Sequence, residues 1–414
     1  MVSDTWNVVV VGAGAAGLLA AIRAADAGAR TLLLEKNHKP GVKILMSGGT
    51  RCNLTHATDN RGIVEAFGRP GRFLHSALAA LSVDETIAIF EEEGVPTKIE
   101  ETGKVFPVSN KATDVLAALL RRLERSGAML ALGEPATGIE HAEGGFTLKT
   151  PRRTLAAKRL VLTTGGQSYP GCGTTGDGYG FAASFGHTIV RPCPALVPII
   201  VTGSWVAELR GVTLPDVRVR ILEGNVQLAE RRGSLLFAHF GMSGPVILDV
   251  SRVVSGHERP DTLSLEIDFL PSLNESESNE YLCQRTAEFA KKQLASLLPA
   301  ALPRRLAELL LVQAGLPADR KAAAFGRHSR GRLVHEIKHL RLPIMGTLGF
   351  RKAEVTAGGV DLDEVDSRTL QSKLLPDLFI AGEVLDLDGP IGGYNFQAAF
   401  STGWLAGTVA GASR

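Results

Sequence analysis

"WNVVVVGAGAAGLLAAIRAADAGARTLLLEK" occupies residues 6–36, and the order of its parts decides the fold. Asn7 to Val11 is a short β-branched run, the pattern of a buried parallel strand. Gly12, Gly14 and Gly17 then fit GxGxxG, with Ala15 and Ala16 inside the pattern. Ala15 to Ala27 predicts a helix with small residues toward the sheet, and Gly28 ends it. Thr31 to Leu34 predicts a second strand, closed by Glu35 and followed by Lys36. Gly12 permits the tight turn, Gly14 lets the backbone approach a pyrophosphate, and Gly17 lets helix and strand pack closely. The helix start offers free N–H groups and a positive dipole end to the phosphates. Glu35 lies 23 residues after Gly12, where an acid accepts bonds from ribose hydroxyls. An acid there disfavours a 2′-phosphate, and so NADP, at this site. FAD and NAD both fit this unit taken alone.

The rest of the chain chooses between them. "RLVLTTGGQSYP" (159–170) reads as a strand ending in Thr164, Gly165 and Gly166. "DLFIAGEVLDLDGPIGGYNFQAAFSTGWLAG" (377–407) reads as another, ending at Gly382 and Glu383, with Gly392 and Gly393 opening a C-terminal helix. A single NAD domain has no use for the third glycine-bearing strand end. FAD, extended across the C-terminal edge of a sheet, does.

These features resemble the glutathione-reductase-like FAD fold. More closely, the chain is similar to the bacterial HI0933/YhiN-type flavoprotein family. The matching stretches are "VVGAGAAGL", "KILMSGGTRCNLT", "TTGGQSYPGCGTTGDGYG", "HFGMSGP", "VTAGGV" and "AGEVLDLDGPIGGYNFQAA", in the family's order. Thr50 stands where the family usually has the third glycine of GGGRCN, and His56 where Asn is common.

The resemblance implies that residues 41–55, "GVKILMSGGTRCNLT", wrap the FAD. Lys43 and Arg51 then balance pyrophosphate or flavin charge. Ser47, Gly48 and Gly49 turn backbone toward the cofactor, and Asn53 suits the flavin pyrimidine edge. This stretch is too rich in glycine and polar residues to predict an ordinary helix. Cys52 is either a thiolate beside the flavin or a small buried residue; without a CxxC partner it supports no disulfide-reductase mechanism, and a pairing with Cys172 is disfavoured. The C-terminal helix, starting near Tyr394 and Asn395, is expected to aim its N-terminus at the flavin and stabilise the reduced anion. Asp386 and Asp388 cap the preceding loop or meet ribityl hydroxyls, and Tyr394 stacks on the flavin or packs in the core. Residues 174–180, "TTGDGYG", form either a second loop near the ring or a plain turn before a helix at 178–186. Ala136 is expected to pass its backbone near the adenine. His239, in "AHFGMSGP", is a proton-transfer or a structural residue.

Length and composition frame this reading. The chain has 414 residues, 44% hydrophobic, with a net charge of +2. Near-neutrality argues against a large nucleic-acid footprint and leaves room for a local patch. Four scattered cysteines suggest a reducing compartment and no zinc site. No leader or membrane-spanning run is evident, so a soluble cytoplasmic protein is expected. His335 and His339, at i and i+4, are read as non-metal, and no metal is expected.

The expected architecture is α/β: a Rossmann-like FAD-binding domain of glutathione-reductase type, from 1–190 and 343–414. An inserted β-barrel-like domain spans 191–271, with 328–342 as a candidate to complete it. A helical subdomain spans 272–327. Residues 272–280 read as a loop, and period-two alternation extends a strand reading through 245–251. Lys291, Lys292, Arg304 and Arg305 read as a solvated face ahead of a membrane surface. The expected function is a FAD-dependent oxidoreductase acting on a small molecule, with NAD(P)H as a candidate transient reductant. The rivals are a flavin-dependent RNA-modifying enzyme and a non-catalytic electron-transfer flavoprotein. Neither the substrate nor the oligomeric state is encoded in these motifs.

Overall fold

In the computed structural model, which describes residues 5–412, strand Thr5–Val11 lies inside a seven-stranded sheet. It pairs in parallel with Thr31–Glu35 on one side and Thr154–Leu162 on the other. Thr154–Leu162 also pairs in parallel with Leu378–Ile380. The registers align Leu34 with Val11, Val11 with Leu162, and Leu162 with Ile380. Strand ends far apart in sequence therefore reach one sheet edge together. The sequence of Thr154–Leu162 shows why its two halves differ. Its first half alternates and pairs antiparallel with Gly145–Lys149, whereas Leu160–Leu162 lies between two parallel neighbours and is wholly buried. Parallel strands covered on both faces need such continuous apolar runs.

Helix Ala15–Asp26 covers this sheet and buries Leu18, Leu19 and Ile22. Each such side chain contributes roughly 1.5–3 kcal/mol of burial free energy. The C-terminal helix Tyr394–Gly411 packs along it. Helices Val83–Glu92 and Ala112–Ser126 and the hairpin strands Thr97–Ile99 and Lys104–Pro107 belong to the same part of the chain.

Two compact units result: residues 1–194 with 354–414, and residues 195–353. In the second, six strands close a barrel, ordered Ile199–Val201, Gly241–Ser243, Val226–Ala238, Thr213–Glu223, Leu263–Asp268 and Leu340–Thr347. The two long strands join through a two-residue turn at Gly224, whose φ of 59° suits a hairpin of the primed type.

Four expectations change. The boundaries fall at Pro194 and Ala353 rather than 190 and 343. Ile189–Ala195 still pairs with Val355–Val360, and a return at 343 would cut the barrel strand Leu340–Thr347. The helical segment is not a separate subdomain, because Leu306, Leu310, Leu333 and Ile337 share one core with barrel residues Val219, Leu265 and Phe237. Pro245–Gly256 is a helix, started by Gly244 and by proline at its first position, where no N–H is needed. Helix Glu275–Glu288 begins inside the expected loop, and an Asn274–Glu277 capping box fixes its start. Among the described residues no single helix is long and apolar enough to cross a membrane.

Candidate functional site

The shared sheet edge carries the site. The GxGxxG turn is as tight as its glycines imply. A β-carbon on Gly12 would lie 2.6 Å from the Thr163 carbonyl oxygen, and one on Gly17 would lie 1.8 Å from that of Gly12. Beside Gly14 the space is open, the side a pyrophosphate needs. The helix that begins at Ala15 has no side-chain cap and no acid in its first turn. The N–H groups of Ala15, Ala16 and Gly17 thus have no carbonyl one turn back within the helix to accept from them. Glu35 is buried; its two oxygens accept from the N–H groups of Ala13 and Asn37, each at 2.8 Å. Each oxygen keeps a second lone pair for a ribose hydroxyl.

Among the described residues, buried polar atoms without a partner include Asn53 Oδ1 and Thr164 Oγ1 at this edge. A buried acceptor without a partner costs ~1–3 kcal/mol, so such atoms mark places where a bound molecule completes the bonding. Gly178 leaves room for the Thr164 hydroxyl, since a β-carbon there would lie 1.9 Å from it. Gly178 lies in the first turn of helix Asp177–Ser184. Gly165 and Gly166 follow Thr164, and a β-carbon on Gly166 would meet Thr356 Oγ1 at 2.4 Å. Gly382 packs on Ala16 and Gly393 on the Thr55 backbone, so both strand-end loops close against the first motif and the 41–55 stretch. Ala136 sits half-buried between strands Met129–Leu132 and Gly138–Ala142, next to that edge. These residues fit an FAD: pyrophosphate at the Gly12–Gly17 turn, ribose at Glu35, polar edges at Asn53 and Thr164.

The 41–55 stretch is part helix. Val42 to Met46 is helical, and the chain then leaves helical geometry at Ser47, Gly48 and Gly49. Thr50 follows with a φ of 69°, a left-handed conformation that a β-branched residue adopts with strain and that the family's glycine adopts freely. The cations near this edge are ion-paired within the fold. The Lys43 ammonium is paired with Glu383 and donates to Ser168 Oγ at 2.6 Å. Ser168 Oγ in turn donates to Glu383 at 2.8 Å, and the Thr356 N–H donates to the same oxygen at 2.9 Å. Arg51 pairs with Glu100 at 2.7 Å and lies over the Phe106 ring. Lys36 pairs with Asp177 and donates to Thr175. Lys43 and Arg51, expected to balance cofactor charge, thus each have an acid partner within the fold.

Cys52 is wholly buried, with its thiol pushed up to about 12 by burial. It is not a thiolate near neutral pH, so the redox candidate gives way to the packing reading. Cys172 lies against Met46, and no disulfide joins any of the four cysteines. Tyr394 stacks on His56 at 4.6 Å, so its ring already has an aromatic neighbour. Asn395 gives its amide to the loop before it: Oδ1 accepts from the Gly389 N–H and Nδ2 donates to the Gly389 and Pro390 carbonyls. Gly392 sits against the His56 and Tyr394 rings, and Asp388 lies half-buried in the same loop. The helix from Tyr394 has neither a side-chain cap nor an acid in its first turn, which preserves its positive end. His239 belongs to the other unit, exposed in the turn before Gly241–Ser243 with its ring edge-on to Phe240.

Sequence reasoning missed Ser168 and Thr356, although both lie in motifs that it singled out. It also missed Gln397, a buried amide that accepts from Thr55 Oγ1 and donates to Thr86 and Ser401. No spacing rule flags these residues, because most of their partners lie more than a hundred positions away.

Comparison with known proteins agrees with this geometry. The chain is 34% identical over 405 residues to the ribosomal RNA dihydrouridine synthase of Escherichia coli (strain K12), covering 97% of each chain. It is 33% identical over 408 residues to the 3-dehydro-bile acid delta(4,6)-reductase of Clostridium scindens, covering 97% of this chain and 98% of that protein. The 3-ketosteroid-delta4-(5alpha)-dehydrogenase of Rhodococcus jostii RHA1 superposes with a TM-score of 0.51 at 17% identity, covering 99% of this chain and 97% of that one. That likeness extends to the fold, a Rossmann-like FAD-binding fold. The family described as HI0933-like protein Rossmann domain matches residues 6–409, and this chain belongs to it.

Proposed function

We propose that this protein is a FAD-dependent reductase of a carbon–carbon double bond conjugated to a carbonyl, with NAD(P)H as a transient reductant. One observation carries the reading: two full-length relatives of nearly equal identity have names that imply this one reaction. Dihydrouridine is uridine with its ring double bond saturated beside a carbonyl. A delta(4,6)-reductase acting on a 3-oxo compound saturates a bond conjugated to that carbonyl. A bound flavin supplies hydride transfer to such a bond.

The protein's own residues supply binding and orientation. The N–H groups at the start of helix Ala15–Asp26 would hold the pyrophosphate. Glu35 fixes a ribose, and Asn53 and Thr164 offer unpartnered atoms to polar edges. The Lys43–Glu383–Ser168–Thr356 clasp ties together four segments: a helical turn, two loops and strand Val355–Val360. The positive end of helix Tyr394–Gly411 favours negative charge that develops in front of it. The cytoplasmic setting expected from the sequence belongs to the same reading, since a nicotinamide reductant is found there.

The test is anaerobic. Purified protein reconstituted with FAD is reduced with NADPH or NADH, then mixed with a 4-en-3-one steroid or a uridine-containing RNA. Bleaching by the nicotinamide and recovery of flavin colour with a saturated product is the expected result. A flavin that binds but is reoxidised by neither compound refutes the reaction class. Reduction by a protein donor alone, with no turnover, assigns electron transfer instead.

A further inference from the structure

The overall charge of +2 hides a local excess. Residues 291–339 hold ten Lys and Arg against three Asp and Glu, with three His besides. Several arginines elsewhere in the same unit are matched: Arg220 pairs with Glu230 and Glu266, Arg232 with Asp216, and Arg341 with Glu266. Arg327 and Arg332 are exposed and have no acid within ion-pair distance among the described residues. With His328 and His335 they line an open cleft of about 750 Å³ between the end of helix Arg304–Gln313 and helix Arg327–His339.

The cleft is built rather than incidental. His328, Arg332 and His335 recur at i, i+4 and i+7, so they form one row along a helix face. The row is about 10 Å long by the helical rise, longer than a single phosphate group. A β-carbon on Gly315 would lie 2.9 Å from Arg332 Nη1, so the missing side chain lets the guanidinium lie along the neighbouring helix end. Helix Arg327–His339 has neither a side-chain cap nor an acid in its first turn, and its positive end adds to the row. Glu336 is the one acid on the lining, and burial pushes its carboxyl above the usual range.

We propose that this cleft is a phosphate-binding site for the backbone of an RNA substrate. The substrate part rests on the reductase reading above; the phosphate site stands on its own geometry. A membrane surface fits less well. Interfacial helices insert an apolar face beside their basic one. Here Leu306, Leu310, Leu333, Val334 and Ile337 are buried in the core of the unit. The guanidinium groups of Arg327 and Arg332, both on the cleft lining, can each meet a backbone phosphate, and neutralised phosphates release counterions.

The experiment uses the FAD-loaded full chain and a fluorescein-labelled, uridine-containing RNA hairpin, with anisotropy read across a salt series. Wild type is expected to bind with a clear salt slope. R327Q/R332Q is expected to lose about tenfold or more in affinity at physiological salt, and about 1.4 in slope at ~0.7 per phosphate on a single strand. Its circular dichroism and flavin spectrum stay as in wild type, because both side chains are exposed. Unchanged RNA binding by the variant, or no RNA binding by wild type at low salt, overturns the site. Binding to phosphatidylglycerol vesicles in place of RNA, lost in the same variant, overturns it in favour of a lipid surface. Double-bond reduction is assayed in parallel. RNA binding without reduction of either the RNA or a 4-en-3-one refutes the reductase reading alone. Reduction of the 4-en-3-one without RNA binding refutes the phosphate site alone.

Discussion

Replacing Gly403 by alanine tests how the C-terminal helix holds the cofactor-binding helix. Gly403, Gly407 and Gly411 recur every fourth residue along Tyr394–Gly411, facing Ala16, Ala20 and Ala24 of Ala15–Asp26. A β-carbon on Gly403 would lie 2.2 Å from the Ala16 carbonyl oxygen, and one on Gly407 would lie 2.2 Å from that of Ala20. These obstacles are backbone atoms, which cannot swing aside like a flexible side chain. Helix propensity alone predicts that Gly→Ala stabilises by about 1 kcal/mol. Overpacking costs ~1–3 kcal/mol, and a contact this short belongs at the upper end. The net expectation is a loss of about 2 kcal/mol, or about 4–8 °C in Tm for a domain of this size. Gly403 carries a second consequence, because Ala16 is in the turn proposed to hold the pyrophosphate. Gly403→Ala should lower FAD occupancy more than Gly407→Ala does at matched stability. Circular dichroism melts and flavin fluorescence of both variants measure the two effects. A Tm that rises in either variant would falsify the close-packing argument, since only propensity would then be acting.

Two further outcomes follow from burial. His187 is buried between Glu364 and Ser372, and burial, opposed by Glu364, pushes its imidazole below the ordinary range. Below about pH 6.5 the unfolded chain then takes up a proton that the folded chain refuses, so stability falls as pH drops through this window. Urea midpoints across that range should show the fall in wild type and a flatter profile in His187→Gln; parallel profiles would remove His187 as the cause. In the folded protein iodoacetamide should label exposed Cys283 first and buried Cys52 only after unfolding. Labelling of Cys52 at the rate of Cys283 would restore the thiolate reading.

The parts of the fold that were legible in the sequence are those fixed by local pattern. The run at Asn7–Val11, the glycines after it and Glu35 specify a strand, a turn and a strand end without reference to anything distant. The third strand end at Gly382 was legible for the same reason, and parallel register brings it beside Val11. Two local signals were present and misread. Gly244 and Pro245 mark a helix start within β-branched sequence, and Asn274 with Glu277 spells a capping box within a polar run. The clasp was not legible. Lys43 and Glu383 are 340 positions apart, and each alone looks like a free charge facing a phosphate. Only the fold shows that they satisfy one another.

That pairing changes how the site handles charge. A pyrophosphate brings negative charge to the sheet edge, and the three cations expected there, Lys36, Lys43 and Arg51, are each matched by Asp177, Glu383 and Glu100. What remains is backbone: the uncapped starts of helices Ala15–Asp26 and Tyr394–Gly411. Helix ends carry about half an elementary charge and act over roughly one turn, so they favour an anion only where the chain comes very close. The requirement for Gly12, Gly17, Gly403 and Gly407 is then one requirement. The first pair shapes the turn, and the second lets two helices lie near enough that the turn has a fixed support. The basic cleft of the other unit works by the opposite means, with unpaired side-chain cations in open solvent. A small cofactor is held by fixed dipoles at short range, whereas the proposed RNA backbone is gathered by mobile charges at long range. A near-zero net charge is compatible with both, because 43 acids offset 45 Lys and Arg over the whole chain without matching them locally.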